Sequence, residues 1–94
     1  MNTLFVLNRH DTDTLAACQA CLHAGDALLL MEEAVYLLLD KRDVVQSIDN
    51  FPAFALSGDL VARGISAKIP PRVECVDYAG FVALTLRFDR IITW

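Results

Sequence analysis

The stretch that decides the fold is ALLLM, Ala27–Met31, set between Gly25-Asp26 and Glu32-Glu33. Five consecutive apolar residues show no inside-outside alternation, so they do not describe a strand with one wet face. A short continuous run bounded by turn and charge signals reads as a strand buried on both faces, and such strands belong to parallel sheets covered by helices. Outward from it, the same logic repeats. Upstream, TLFVLN (Thr3–Asn8) is a run of β-formers, after which Asp11, Thr12 and Asp13 offer N-caps for a helix to about His23, stopped by Gly25. Downstream, Glu32–Leu39 leans to helix through its Ala, Glu and three Leu. Pro52–Ser57 is the third strand, with Ser57-Gly58-Asp59 expected as turn and cap, then a short helix closed by Gly64. Val73–Tyr78 follows Pro70-Pro71 as a fourth, central strand, Ala79–Phe88 is a closing helix, and RIITW (Arg90–Trp94) is a fifth strand. Strictly alternating strands and helices predict one α/β domain over 1–94, three layers deep, around a parallel five-stranded sheet. Right-handed crossovers would collect every strand's carboxyl end on one edge, where a site is expected.

Composition narrows the function. Of the 94 residues, 55% are hydrophobic, while a chain of this size buries only about two-thirds of its unfolded surface. The surplus apolar surface needs an outlet. Membrane insertion is not it, because the runs Ala27–Met31 and Ala34–Leu39 are split by Glu32-Glu33 and fall short of the ~18 residues a span needs. The amino-terminal residues carry no basic leader, so a cytoplasmic protein is expected. Burial against other subunits is the favoured outlet. Twelve acidic against eight basic residues give a net charge of −4. The basic residues are scattered, so direct nucleic-acid binding is not expected.

Three cysteines remain as chemistry candidates, and without secretory context they read as thiols. Cys18 and Cys21 form a C-x-x-C, a spacing used by dithiol redox centres and by metal sites. A reactive cysteine of the thioredoxin kind sits at a helix N-terminus, whereas this pair lies near the far end of its helix, where the dipole disfavours a thiolate. Cys18 also keeps step with Leu15 and Leu22, which places it on the core-facing stripe with Cys21 packing beside it. Zinc would need further ligands from Cys75, His10 or His23, none in a suitable spacing, and Cys75 reads as core of the fourth strand. Gly25, Gly58, Gly64 and Gly80 never assemble into a phosphate-binding loop, and neither histidine has triad partners in motif spacing, so no cofactor is expected. Glu32-Glu33 stand at the expected functional edge, yet a solvated loop explains them equally well. Asp59 and Arg63 are spaced to pair. The ending Ile91-Ile92-Thr93-Trp94 is unusually apolar, which suggests an edge strand packed within the monomer or against another subunit.

Four pieces in order, GDALLLMEEAVY, ALSGDLVARGI, VDYAGFVALT and the closing Trp94, together resemble the TusB/DsrH family of sulfur-relay subunits, over roughly Thr3 to Trp94. The resemblance implies a DsrE-like α/β/α fold. It also implies a place in a heterohexamer with TusC/DsrF-like and TusD/DsrE-like homologues, two copies of each chain. In the Tus branch such a complex passes persulfide sulfur towards 2-thiolation of the tRNA wobble uridine; the Dsr branch belongs to sulfur oxidation. The family's principal sulfur-carrying cysteine is on the TusD/DsrE-like subunit. In DsrH-like members a cysteine lies seven residues before the glycine matching Gly25, which is the spacing of Cys18 and makes it the candidate auxiliary sulfur acceptor; Cys21 and Cys75 have no counterpart. Its chemistry would be exchange, in which a thiolate attacks the outer sulfur of a donor persulfide and the donor leaves as a thiolate. Two further readings stay open: a purely structural assembly subunit, and a stand-alone C-x-x-C dithiol protein, so whether the chain takes part in catalysis is left undecided.

Overall fold

The computed structural model describes residues 2–39 and 51–94. Five parallel strands, β1 (Thr3–Leu7), β2 (Ala27–Leu30), β3 (Ala53–Leu56), β4 (Glu74–Val76) and β5 (Arg90–Thr93), form one sheet in the order β4-β3-β2-β1-β5. The connections carry α1 (Thr12–Cys21), a 3₁₀ segment (Glu32–Leu39), α2 (Ser57–Ala62), a 3₁₀ turn (Ser66–Lys68) and α3 (Tyr78–Thr85). From β1 to β4 the chain steps always in one direction across the sheet, so right-handed crossovers put α1, the 3₁₀ segment and α2 on the same face. The last connection runs back over three strands to place β5 beside β1, which puts α3 on the opposite face.

The two cores follow from that division. On the α1 side, Phe5, Leu7, Leu28, Leu30, Ala53 and Ala55 of the sheet pack under Leu15, Cys18, Leu22, Leu37 and Leu60. On the α3 side, Leu4, Val6, Ala27, Leu29 and Phe54 pack under Leu84, with Phe81 and Phe88 at its margin. All of β1 and β2 is buried. That is the doubly covered environment ALLLM calls for, and it is what its missing alternation encodes.

Several expectations are corrected in detail. The fourth strand spans only Glu74–Val76 and is outermost, not central. Cys75, in register with Ala55, therefore has a neighbouring strand on one side only and is exposed. Ser57 does not cap α2: the helix starts directly from β3, with Leu56 at the N-cap and no side-chain bond to the cap. The first helix ends at Cys21, two residues early, where the Leu22 N–H turns back to the Gln19 carbonyl. Just beyond it the buried Asp26 carboxylate accepts from the N–H groups of His23 (2.9 Å) and Thr3 (2.8 Å). One side chain thus fastens the helix exit to the first residue of β1. Gly25 has φ +93, a backbone conformation that a residue with a Cβ rarely adopts, which is why glycine makes this turn.

Candidate functional site

Two places answer to the sequence: the C-x-x-C on α1 and the carboxyl edge of the sheet. The cap of α1 is Asp11, whose carboxylate takes the Thr14 hydroxyl (3.0 Å) and the Asp13 N–H (3.0 Å). Those bonds, the Thr14 hydroxyl first, hold Asp11 below its ordinary pKa. The helix so aligned turns Leu15, Cys18 and Leu22 into the core, as their spacing predicts. Cys18 is 0% exposed. Burial, with the neighbouring Cys21 thiol adding to it, pushes the Cys18 thiol up to about 12. At neutral pH it is therefore a protonated, enclosed thiol, the opposite of what a sulfur acceptor needs. Cys21, expected beside it in the core, is exposed: as the last residue of α1 it falls at the rim of the packed face.

The carboxyl edge is more organised than the sequence suggests. Glu32, directly after β2, has φ +52, a left-handed conformation rare for a residue with a Cβ. Its N–H donates to Asp59 Oδ2 at 2.7 Å, across from α2. Arg63, one turn further along, donates to Asp59 Oδ1 at 3.3 Å and to Glu33 Oε1 at 2.9 Å. The guanidinium pKa is raised, first by the Glu33 hydrogen bond. Tyr36 adds to that shift, and its ring stands 5.9 Å from His10, which follows β1. Loops from β1, β2 and β3 are thereby tied together at the edge the topology predicts. The Asp59–Arg63 pair is legible at i, i+4; the reach of Asp59 to Glu32 and of Arg63 to Glu33 is not, because only the β2–β3 register brings those loops side by side.

What these bonds do is structural: they hold the segment after β2 against α2. Among the described residues no three of His, Cys, Asp and Glu cluster to hold a metal. His10 and His23 are exposed and lie in different loops.

Residues 10–91 match the family model described as DsrH like protein. The chain belongs to the DsrH family. Similar proteins include Protein TusB of Escherichia coli K12 and of Escherichia coli O6:K15:H31, each 35% identical over 81 residues, covering 84% of this chain and 85% of the relative. In fold, this DsrH-family chain matches the crystal structure of ychN protein from E. coli with a TM-score of 0.70 over 100% of both chains, at 19% identity. That likeness bears on architecture alone, and the architecture agrees with the expected parallel five-stranded α/β/α sheet.

Proposed function

We propose that this DsrH-family chain is a subunit of a cytoplasmic sulfur-relay complex acting towards tRNA 2-thiolation, that it assembles with TusC/DsrF-like and TusD/DsrE-like homologues, and that its duty is structural. Family membership across residues 10–91 carries the relay reading. The enclosure of Cys18 supports the structural duty, since persulfide exchange at this sulfur would require α1 to open. The test is to isolate the native complex by a tag on this chain and to weigh each subunit for persulfide sulfur. Homologous partners, one of which carries the sulfur, are expected, with Cys18 unmodified. A chain that co-purifies with no homologue overturns the reading. Persulfide on Cys18, together with sulfur flux lost in Cys18→Ala at unchanged assembly, would instead establish it as the auxiliary acceptor.

A further inference from the structure

An inference that does not rest on the relay reading comes from the C-x-x-C, which a structural duty leaves unused. Its two thiols differ in setting: Cys18 is enclosed in the core and Cys21 is exposed. They are neighbours all the same, at i and i+3 on α1, and Cys21 is close enough to add to the shift of the Cys18 thiol. Cβ atoms at that helical spacing are about 5–6 Å apart, whereas a disulfide needs about 3.5–4.5 Å. The end of α1 is where that gap can close. The Leu22 N–H bonds the Gln19 carbonyl in place of the Cys18 carbonyl, so the final turn is already of the tighter 3₁₀ kind, in which residues i and i+3 eclipse. Cys21 is the last residue of the helix and Leu22 has extended backbone (φ −75, ψ 138), so no further turn has to move with it. Cys75 has no such neighbour. It lies on β4, two strand spacings beyond β2, a distance of roughly 10 Å, and cysteines whose Cα atoms are more than about 7 Å apart cannot be bridged.

We propose that Cys18 and Cys21 are a reversible redox pair: the exposed thiol takes oxidation from a low-molecular-weight disulfide such as oxidised glutathione, and the enclosed one resolves it by closing a Cys18–Cys21 disulfide. In the first step Cys21 gives its proton to water and its thiolate attacks one sulfur of the glutathione disulfide. That S–S bond breaks, a mixed disulfide forms on Cys21, and one glutathione leaves as a thiolate that takes up a proton. In the second step Cys18 gives its proton to water and its sulfur attacks Cys21 Sγ, expelling the second glutathione. Two protein thiols are oxidised to one disulfide and one disulfide is reduced to two thiols, with no other reagent consumed. The setting fits the second step. Cys18 lies on the core side of Cys21 and the adduct has room only in the water, so attacking and leaving sulfurs stand on opposite sides of Cys21 Sγ. The enclosure that keeps glutathione away from Cys18 does not keep Cys21 away. Because burial pushes the Cys18 thiol up to about 12, little of it is thiolate at neutral pH and closure is slow, yet glutathione, with the lower thiol pKa, is the group that leaves.

The test is to incubate the folded full chain with oxidised glutathione at about pH 8, quench with acid, and weigh whole chains and peptides. Wild type should carry lasting glutathione on Cys75 and, with a pair of hydrogens lost, a disulfide between Cys18 and Cys21 that reduced glutathione reopens. Cys18→Ala should instead hold glutathione on both Cys21 and Cys75. Cys21→Ser should slow the oxidation of Cys18 at least about tenfold, because the enclosed thiol loses the sulfur it attacks. The wild-type and Cys21→Ser masses decide the matter even if Cys18→Ala does not fold. A lasting adduct on Cys21 of the wild type beside a reduced Cys18 overturns the proposal. So does a Cys18–Cys21 disulfide that forms only once denaturant is present, or a Cys18 that pairs with Cys75 or with another chain.

Discussion

Cys18 occupies a core position with a group that can titrate, and its behaviour at high pH follows from that. The folded chain holds the thiol proton up to about pH 12, while an unfolded thiol releases it near 9.0. In that window the unfolded state binds fewer protons, so the Cys18 contribution is fully present below about pH 9 and is lost as pH rises towards 12, at up to about 1.4 kcal/mol per pH unit. Chemical denaturation of wild type and Cys18→Ala at pH 8 and about pH 10.5 should show the excess loss only in the wild type. At neutral pH a thiol-alkylating reagent should label Cys21 and Cys75 rapidly and Cys18 only on unfolding, a difference that peptide masses resolve. Gly25 yields a prediction of a different kind. Gly25→Ala puts a Cβ on a backbone held at a φ of +93, and thermal melts should report a loss of about 1–3 kcal/mol.

At the scale of elements, the carboxyl-edge tie between the segment after β2 and helix α2 depends on Asp59. Asp59→Ala removes the acceptor for both the Glu32 N–H and the Arg63 guanidinium, and because the edge is partly wet the cost should be near about 1 kcal/mol. Glu32→Gly, which accepts φ +52 without strain, should recover part of that loss in the double variant, measured by a denaturant cycle. The elements also show how far the sequence speaks. ALLLM declares its doubly buried strand through the absence of alternation, and Leu15, Cys18 and Leu22 declare the inner face of α1 through spacing. The exposure of Cys75 is silent in the sequence, because being outermost is a property of strand order, which the crossovers set and local residues do not. Ser57 carries the chemistry of a cap, but β3 runs straight into α2 and leaves Leu56 at the cap position. The edge cluster was half legible: Glu32, Glu33 and the Asp59–Arg63 pair stand out by position, whereas the part of Tyr36 and His10 emerges only when three separate loops converge.

On the scale of the whole molecule, β1 belongs to both cores, with Phe5 and Leu7 facing α1 and Leu4 and Val6 facing α3. It keeps that central place only because β5 returns to pair with it along Thr3–Val6, and because the Trp94 N–H extends the ladder to the Val6 carbonyl at 2.9 Å. Ile92 and Trp94 pack on the α1 side of the sheet, whereas Ile91 stays 41% exposed, so the apolar ending is covered in part within one chain. Removing residues 90–94 would turn β1 into an edge strand whose apolar side chains on both faces lose cover, a template for pairing with other chains. The shortened chain should therefore melt well below the full one and scatter light on heating, while the full chain unfolds in one cooperative step. Circular dichroism melts with parallel light scattering make the comparison. If the shortened chain kept the full chain's midpoint and stayed clear, β5 would be an accessory strand, and the stability of the sheet would have to come from β1, β2 and β3 alone.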